Sequence, residues 1–191
     1  MLADLPVPAL LEELAAPRPV PGAGSALAAA LATAAAVVQM AARLSEESWP
    51  GAAGIAAQAE SLRGRATELI DADADAFRKA LEARADPAAD PSAERRDFAL
   101  GQATAAAAEP PLALARVAVD LAELCRETAA RGAPVAHADV AAAAALAAGV
   151  ARGARELVAV NLTALPGDPR VEEARTLAAA AESAAAAASR A

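Results

Sequence analysis

A run without any charged residue, from Ser25 to Met40, follows the small-residue turn Pro21-Gly22-Ala23-Gly24-Ser25. Glycine lets other groups approach the main chain closely, and a serine can accept a hydrogen bond from the first free amides of a helix. The segment therefore predicts a buried central helix that begins near Ser25. Its first turn is either only a cap at a close helix crossing or an anion site, because helix N-termini present free amides.

Alanine carries most of the apolar content of the chain. Hydrophobic residues make up 57% of the 191 residues, but aromatic residues only 2%. Alanine is the best helix former and a poor strand former, so the sequence predicts an all-α bundle of about six helices, several of them long. An alanine core has little volume per residue, so the helices must approach closely, and we expect a second subunit.

Prolines and polar clusters divide this helical pattern into segments. We predict a loop over 86–92, with Ser92 as the N-cap of the helix that follows it, and a break at Pro110-Pro111. The predicted helices are Val7–Leu14, Ser25 to about Leu44, Ala52 to about Pro87, Ser92–Ala108, Leu112–Ala130, Val135 to about Leu165, and Val171–Ala191. Residues 1–191 are expected to form one domain.

The charge balance and the termini limit the classes of partner. The net charge is −8 and no cluster of Lys and Arg is present, which disfavours a nucleic-acid partner. No apolar window suggests a membrane span, and the N-terminal residues do not resemble a signal peptide. Cys125 is the only cysteine and lies on an apolar stripe, so we interpret it as a core thiol. We expect a cytoplasmic protein.

Three aspartates stand in the segment Leu69-Ile70-Asp71-Ala72-Asp73-Ala74-Asp75-Ala76-Phe77. Asp71 and Asp75 are four residues apart and share one helix face, where like charges repel unless a cation or a proton relieves them. Such a cluster is either a solvated face or a carboxylate site that faces a ligand.

Three further polar residues lie in or near the segment that begins at Val135. His137 is the only histidine, so a conventional base of neutral pKa is either this residue or a perturbed carboxylate. Asp139 suits the first turn of a helix, so capping remains an alternative role for both residues. Asn161 stands on an apolar stretch, where its amide either pins a neighbouring helix or faces a ligand.

Taken together, these segments resemble the cyclodeaminase/cyclohydrolase family, which includes the C-terminal domain of formiminotransferase-cyclodeaminase and methenyltetrahydrofolate cyclohydrolases. The resemblance covers nearly the full length. It rests on the order of the motifs: Leu11-Glu12-Glu13-Leu14-Ala15, Pro21 to Ser25, Leu69 to Phe77, Pro111-Leu112, Gly132 with Ala138-Asp139-Val140, and Gly153-Ala154 with Val160-Asn161-Leu162. The sequence departs from the family pattern at Ala23, Ala133, Ala138 and Leu157, where glycine, asparagine, serine and asparagine are usual.

The resemblance implies an antiparallel all-α fold, usually dimeric, that binds a tetrahydrofolate derivative as substrate and needs no metal or redox cofactor. The reaction is either hydrolysis of 5,10-methenyltetrahydrofolate or release of ammonia from 5-formiminotetrahydrofolate. The implied catalytic residues are Asp139 first, then Asp75 and Asp71. The implied substrate-binding residues are Gly22, Gly24, Ser25, Asn161 and His137. The alternative is a non-catalytic or repurposed small-molecule-binding dimer of the same fold.

Overall fold

The computed structural model describes residues 1–85 and 93–191, and α-helices make up most of this part of the chain. The helices are α1 (Val7–Ala15), α2 (Ala23–Arg43), α3 (Ala52–Ala85), α4 (Ala93–Ala107), α5 (Glu109–Arg131), α6 (His137–Asn161) and α7 (Pro169–Ala188). No strand occurs within these ranges. The all-α prediction is confirmed, whereas the predicted loop over 86–92 and the Ser92 cap lie outside the described residues.

Two boundaries differ from the sequence prediction. Pro110 and Pro111 stand in the first turn of α5 rather than before it, because a proline there removes only amides that have no partner within the helix. Helix α6 ends at Asn161 and not near Leu165, and the chain then passes through turns to Gly167, whose φ of 85° lies in the left-handed region.

Helix α2 is the central helix and packs against α3, α5 and α6. Helices α2 and α6 run antiparallel: Leu27 near the start of α2 packs over Gly153 near the end of α6, where an added Cβ would lie 2.9 Å from Leu27 Cδ1. At the other end of the pair, the Ala133 amide donates to Ser45 Oγ at 2.8 Å. The start of α2 therefore lies beside the end of α6.

Alanine dominates the core, as the composition predicts. The buried face of α2 alternates Ala28, Ala34, Ala35 and Ala41 with Leu31 and Val38, all fully buried. Because alanine projects only a methyl group, neighbouring backbones approach closely, and the glycines and serines at crossings then decide which side chains fit between helices.

Two helical segments are long and apolar enough to cross a membrane by length and hydropathy alone, contrary to our expectation that no window would pass. They are Ala23–Arg43, with a mean hydropathy of 1.7, and Pro134–Asn161, with 1.4. Core helices of a helical bundle pass the same test, and both segments pack against several neighbouring helices.

Candidate functional site

A cavity of about 200 Å³ lies where α3 passes the start of α2 and the end of α6. Helix α2 contributes its first turn, α3 contributes one acidic and one aromatic side chain, and α6 contributes its last turns. The lining residues are Pro19, Gly22, Ala23, Gly24, Asp73, Phe77, Ala107, Leu157, Val160 and Asn161. The cavity therefore has an apolar wall with two polar side chains, Asp73 and Asn161, which is a common composition for a small-molecule site.

Asp73 is seated against the start of α2. A Cβ placed on Gly24 would lie 2.0 Å from Asp73 Oδ1 and 2.2 Å from its Cγ, so only glycine leaves room for the carboxyl group. Burial raises the pKa of the Asp73 carboxyl above its ordinary value, and a hydrogen bond from the Ser25 amide partly offsets that rise. Desolvation outweighs the helix start, so the carboxyl group holds its proton more firmly than a surface aspartate.

The first turn of α2 lines the cavity with backbone. Gly22 is the N-cap residue, and since glycine has no side chain, the N-cap position supplies no side-chain hydrogen bond to the helix. The Ser25 hydroxyl is fully buried and donates to the carbonyl oxygen of Ile70 at 2.8 Å, so its side chain faces α3 rather than the cavity. The start of α2 thus receives an acidic group, and that group is the protein's own Asp73.

Asn161 lies on the opposite wall and is held by α4. Its Nδ2 donates to the carbonyl oxygen of Ala107 at 2.8 Å. This bond fixes the plane of the amide and leaves Oδ1 as an acceptor at the cavity wall. Asn161 therefore pins a neighbouring helix, which is one of the two alternatives left open by the sequence, and it also lines the cavity. Its contact with a ligand stays a prediction.

Asp71 and Asp75, which the sequence favoured, do not line this cavity. Asp71 accepts hydrogen bonds from the amides of Leu2 and Ala3, at 2.7 and 3.1 Å, and so ties the N-terminal turn to α3. Asp75 is exposed and pairs with Arg78 at 2.6 Å, on the side of α3 that borders a groove along α4. Their catalytic roles stay predictions without a place in the cavity.

His137 and Asp139 lie at the far end of α6. Asp139 is exposed in the first turn of the helix, whereas the cavity is lined by its last turns. At 1.5 Å per residue, Asp139 and Leu157 are about 27 Å apart along the axis. One subunit therefore does not bring Asp139 or His137 to Asp73, and the roles assigned to them stay predictions.

The sequence reasoning passed over Asp73, although a signal was present. Ile70 and Ala74 are buried, and Phe77 follows Asp73 by four residues, which places Phe77 and Asp73 on one face at the edge of the core stripe. The helical phase of the three aspartates thus separates Asp73 from Asp71 and Asp75. The i,i+4 repulsion that singled out Asp71 and Asp75 says nothing about where each carboxylate lies relative to the buried stripe.

Two larger grooves, of about 620 and 770 Å³, flank α4 and share the exposed side chain of Phe98. Arg170 borders the first groove, but its guanidinium already bonds to Asp168, Glu109 and the carbonyl oxygen of Ala105. These pairings raise the pKa of Arg170 and lower that of Asp168 to about 2. The small cavity is therefore the stronger candidate site, because no cation among the described side chains pairs with its carboxyl group.

The arrangement around Asp73 suits proton transfer and the orientation of an N–H group. Phe77 provides a flat aromatic surface and Leu157 a further apolar contact, whereas Asn161 Oδ1 provides an acceptor and the Asp73 carboxyl an exchangeable proton. Among residues 1–85 and 98–191, whose side chains the structure describes, no group of three or more His, Cys, Asp and Glu side chains is arranged to hold a metal ion.

A crystal structure described as formiminotetrahydrofolate cyclodeaminase from Thermotoga maritima superposes with a TM-score of 0.88 at 24% identity, covering 100% of this chain and 96% of that chain. That likeness shows the same fold. No curated protein matches the chain by sequence. The model of the formiminotransferase-cyclodeaminase family matches residues 6–188, and the chain therefore belongs to that family.

Proposed function

We propose that this chain is a folate one-carbon enzyme that acts on a methenyl or formimino group held beside Asp73. Two findings support the substrate class: the family to which the chain belongs, and the similar fold of a protein described as formiminotetrahydrofolate cyclodeaminase. The single observation that carries the proposal is the half-buried Asp73 carboxyl group, whose raised pKa suits it to proton transfer.

The cavity matches part of such a ligand rather than all of it. Its volume of about 200 Å³ is below the ~300–1,000 Å³ of sites that enclose a drug-sized molecule. It would hold the bridging carbon and the adjoining ring, with Phe77 against the ring face and Asn161 Oδ1 accepting a ring N–H. The benzoylglutamate part would then extend outside. We expect no metal or redox cofactor, because the chemistry is addition and elimination at one carbon.

Both family reactions need a proton to move at this carbon. In hydrolysis, water adds to the cationic methenyl carbon and loses one proton; the bond from this carbon to the ring nitrogen N5 then breaks, and the proton of the new hydroxyl group passes to N5 as the 10-formyl product forms. In deamination, the exocyclic nitrogen N10 attacks the formimino carbon carried by N5 and loses its proton, and the amino group of the adduct then gains a proton and leaves as ammonia. Asp73 can accept the proton in the first case and donate it in the second, and its anionic form would stabilise the cationic bridge.

The direct test follows the absorbance of 5,10-methenyltetrahydrofolate during hydrolysis by purified protein, and in a parallel assay follows ammonia release from 5-formiminotetrahydrofolate. We expect turnover above buffer in one assay and a loss of roughly 100-fold or more in kcat for Asp73→Asn. Asp75→Asn is the matched comparison, because its exposed carboxylate is two residues away and paired with Arg78. A larger loss for Asp75→Asn than for Asp73→Asn would contradict this placement.

A second candidate function is binding without catalysis, and Leu157 favours it. This side chain lines the cavity where the family pattern has asparagine, so the cavity has one polar group fewer to orient a reacting ring. Calorimetry with tetrahydrofolate separates the candidates: binding without turnover of either substrate supports the binding protein. Absence of both binding and turnover contradicts a folate function altogether.

A further inference from the structure

The last turn of α4 is held in place by side chains from two other helices. The final carbonyl groups of a helix have no partner within it and must be satisfied from outside. Arg170 Nη1 donates to the Ala105 carbonyl oxygen at 2.9 Å. Asn161 Nδ2 donates to the Ala107 carbonyl oxygen at 2.8 Å. Because Ala107 lines the cavity, these two bonds hold a part of the cavity wall.

The side chains of this turn do little to fix its position. Residues 105–108 are all alanine, so the turn presents only methyl groups to its neighbours. Small side chains interlock weakly with a facing helix, because each makes few atomic contacts. The buried cluster beneath the turn is small and separate from the main core, and it consists of Ala108, Leu112, Val158, Leu162 and Ala174. The hydrogen bonds from Arg170 and Asn161 therefore decide where the turn lies.

Arg170 is less exposed than the other arginines of the described ion pairs. Its side chain is 22% exposed, against 37–64% for those arginines. An arginine is rarely buried unless its charge is paired, and here two carboxylates pair with it. Nη2 and Nε bond to Asp168 at 2.7 and 3.0 Å, and Nη1 bonds to Glu109 at 2.6 Å. The guanidinium group is therefore held in a defined orientation.

The two carboxylates belong to different helices, so Arg170 joins three elements. Asp168 is the N-cap of α7 and accepts from the Arg170 amide at 3.0 Å. Glu109 stands in the first turn of α5. The planar guanidinium presents its donors in a fixed fork, and the two carboxylates turn this fork so that Nη1 reaches the Ala105 carbonyl oxygen. Arg170 thus braces the end of α4 against the starts of α5 and α7.

The orientation of the Asn161 amide depends on the position of this turn. The distance from Nδ2 to the Ala107 oxygen is 2.8 Å, whereas a hydrogen bond of this kind extends to about 3.2 Å. A shift of the turn by about 0.8 Å away from α6 would lengthen the distance to about 3.6 Å and break the bond. The amide would then be free to rotate about χ2, because that torsion has broad and roughly two-fold minima. In part of the molecules Nδ2 would replace Oδ1 at the cavity wall.

We propose that Arg170 is a positioning residue of the cavity: it holds the last turn of α4, and through the Ala107 carbonyl group it keeps Asn161 Oδ1 directed at the ligand. Arg170 borders the first groove along α4 and does not line the cavity, so it acts through Asn161. This role deepens the proposed function and rests on it for the ring N–H that Oδ1 accepts. The brace and its effect on the amide do not depend on the ligand.

A positioning role predicts a change in KM rather than in kcat. The ring N–H is present in the bound substrate and in the transition state, so a misplaced Oδ1 weakens both by the same amount and raises KM alone. The loss of one hydrogen bond corresponds to a factor of about 5 in KM. Asp73 has the opposite signature, because its proton transfer occurs only in the transition state. A general loss of stability would lower the fraction of folded enzyme, and therefore kcat, without raising KM.

NMR tests the brace without substrate, because Asn161 is the only asparagine of the chain. Asparagine labelled with ¹⁵N therefore gives one side-chain amide signal pair. In the wild-type protein the Nδ2 proton bonded to Ala107 should be protected from exchange with water. In Arg170→Met we expect both signals to shift and the exchange to be about fivefold faster, because the bond is formed less often. Unchanged signals and exchange in Arg170→Met with helical circular dichroism would overturn the proposal.

Arg116→Met is the matched control. Arg116 also joins α5 to α7, by a 2.6 Å contact with Glu173, so its loss should leave the Asn161 signals unchanged. Equal changes in both variants would show a general loosening and overturn the specific role. If Arg170→Met does not fold, Arg170→Lys replaces it, because lysine keeps the charge but lacks the planar fork. Arg170→Lys should then shift the same signals, and wild-type signals in that protein would overturn the proposal.

Kinetics then test whether the position of Asn161 matters to the substrate. We expect Arg170→Met to raise KM about fivefold at nearly constant kcat. In an Asn161→Ala background the same change should not raise KM further, since both substitutions remove one contact. Additive effects on KM, or a fall in kcat at unchanged KM, would overturn the action through Asn161. If the wild-type protein turns over neither substrate, the proposed function fails, whereas NMR still decides whether Arg170 sets the amide.

Discussion

Replacement of Gly24 by alanine should separate the position of the Asp73 carboxyl group from the stability of the fold. The new Cβ would lie 2.0, 2.2 and 2.4 Å from Oδ1, Cγ and Oδ2 of Asp73. Since the atoms it meets are the end of a side chain, Asp73 can rotate away without displacing the backbone. The carboxyl group would then leave the Ser25 amide by at least the ~1 Å needed to restore ordinary contact.

Gly24→Ala should change the free energy of unfolding only slightly but should lower kcat/KM strongly. Alanine gains up to about 1 kcal/mol of helix propensity over glycine, and this gain offsets most of the cost of the rotated side chain. The free energy of unfolding in urea should therefore change by no more than about 1 kcal/mol. A displacement of about 1 Å at a reacting group can cost roughly 100-fold, so we expect a loss of that order in kcat/KM for methenyltetrahydrofolate hydrolysis or ammonia release.

A double-mutant cycle checks the cause. In an Asp73→Ala background the added methyl group meets no carboxyl group, so Gly24→Ala should become neutral or stabilising. Gly22→Ala is the matched control for stability, because its Cβ would only contact the Pro19 oxygen at 3.4 Å. Wild-type kcat/KM in Gly24→Ala, or the same stability change in both backgrounds, would refute the idea that Gly24 makes room for this carboxyl group.

Three other predictions concern ionisable groups. The pKa of Asp73 is raised in the folded state, so the folded protein binds more protons than the unfolded one, and the free energy of unfolding should fall as pH rises from about 4 through that pKa. Urea titrations at several pH values should show this slope, and Asp73→Asn should abolish it. Asp168 has a pKa lowered to about 2, so its ionised form should stabilise the fold above about pH 4. This contribution to the free energy of unfolding should be lost as pH falls towards 2, and Asp168→Asn should remove that loss in the same titrations. Burial raises the pKa of Cys125 to about 12, so a thiol reagent at neutral pH should modify it only at the rate of unfolding, and rapid modification of the folded protein would contradict that burial.

The fold was predictable because local signals agree with one another. Alanine favours helix at nearly every position, and prolines mark the ends, so α1, α3 and the break before α5 follow from the sequence within a few residues. Cys125 is fully buried, which confirms the stripe that the spacing indicated. The end of α6 was missed because Thr163 and Ala164 continue a helix-compatible pattern while the chain already turns towards Gly167.

The site was predictable only in part, because sequence spacing gives the face of a helix but not the group that covers it. Gly22, Gly24 and Asn161 were singled out and line the cavity. Asp71 was chosen because a carboxylate in a cluster of like charges needs partners, and the amides of Leu2 and Ala3, 69 and 68 residues away, supply them. To identify Asp73 as a site residue, one must know where α2 begins relative to α3, and sequence spacing does not give that long-range arrangement.

The glycine turn and the alanine core together explain how an acidic group can sit at a helix start and still hold a proton. A helix N-terminus stabilises an anion and lowers its pKa, whereas burial raises it, and here burial prevails. Close packing of α2 on α3 requires Gly24, and the same close packing excludes the water that would otherwise solvate the carboxylate. The Ser25 amide at the start of α2 is engaged by Asp73, so an anionic ligand would have to compete with Asp73 for this donor. A cationic group entering the cavity would instead find a carboxyl group that gains by ionising, which couples binding of a positive bridge to release of a proton.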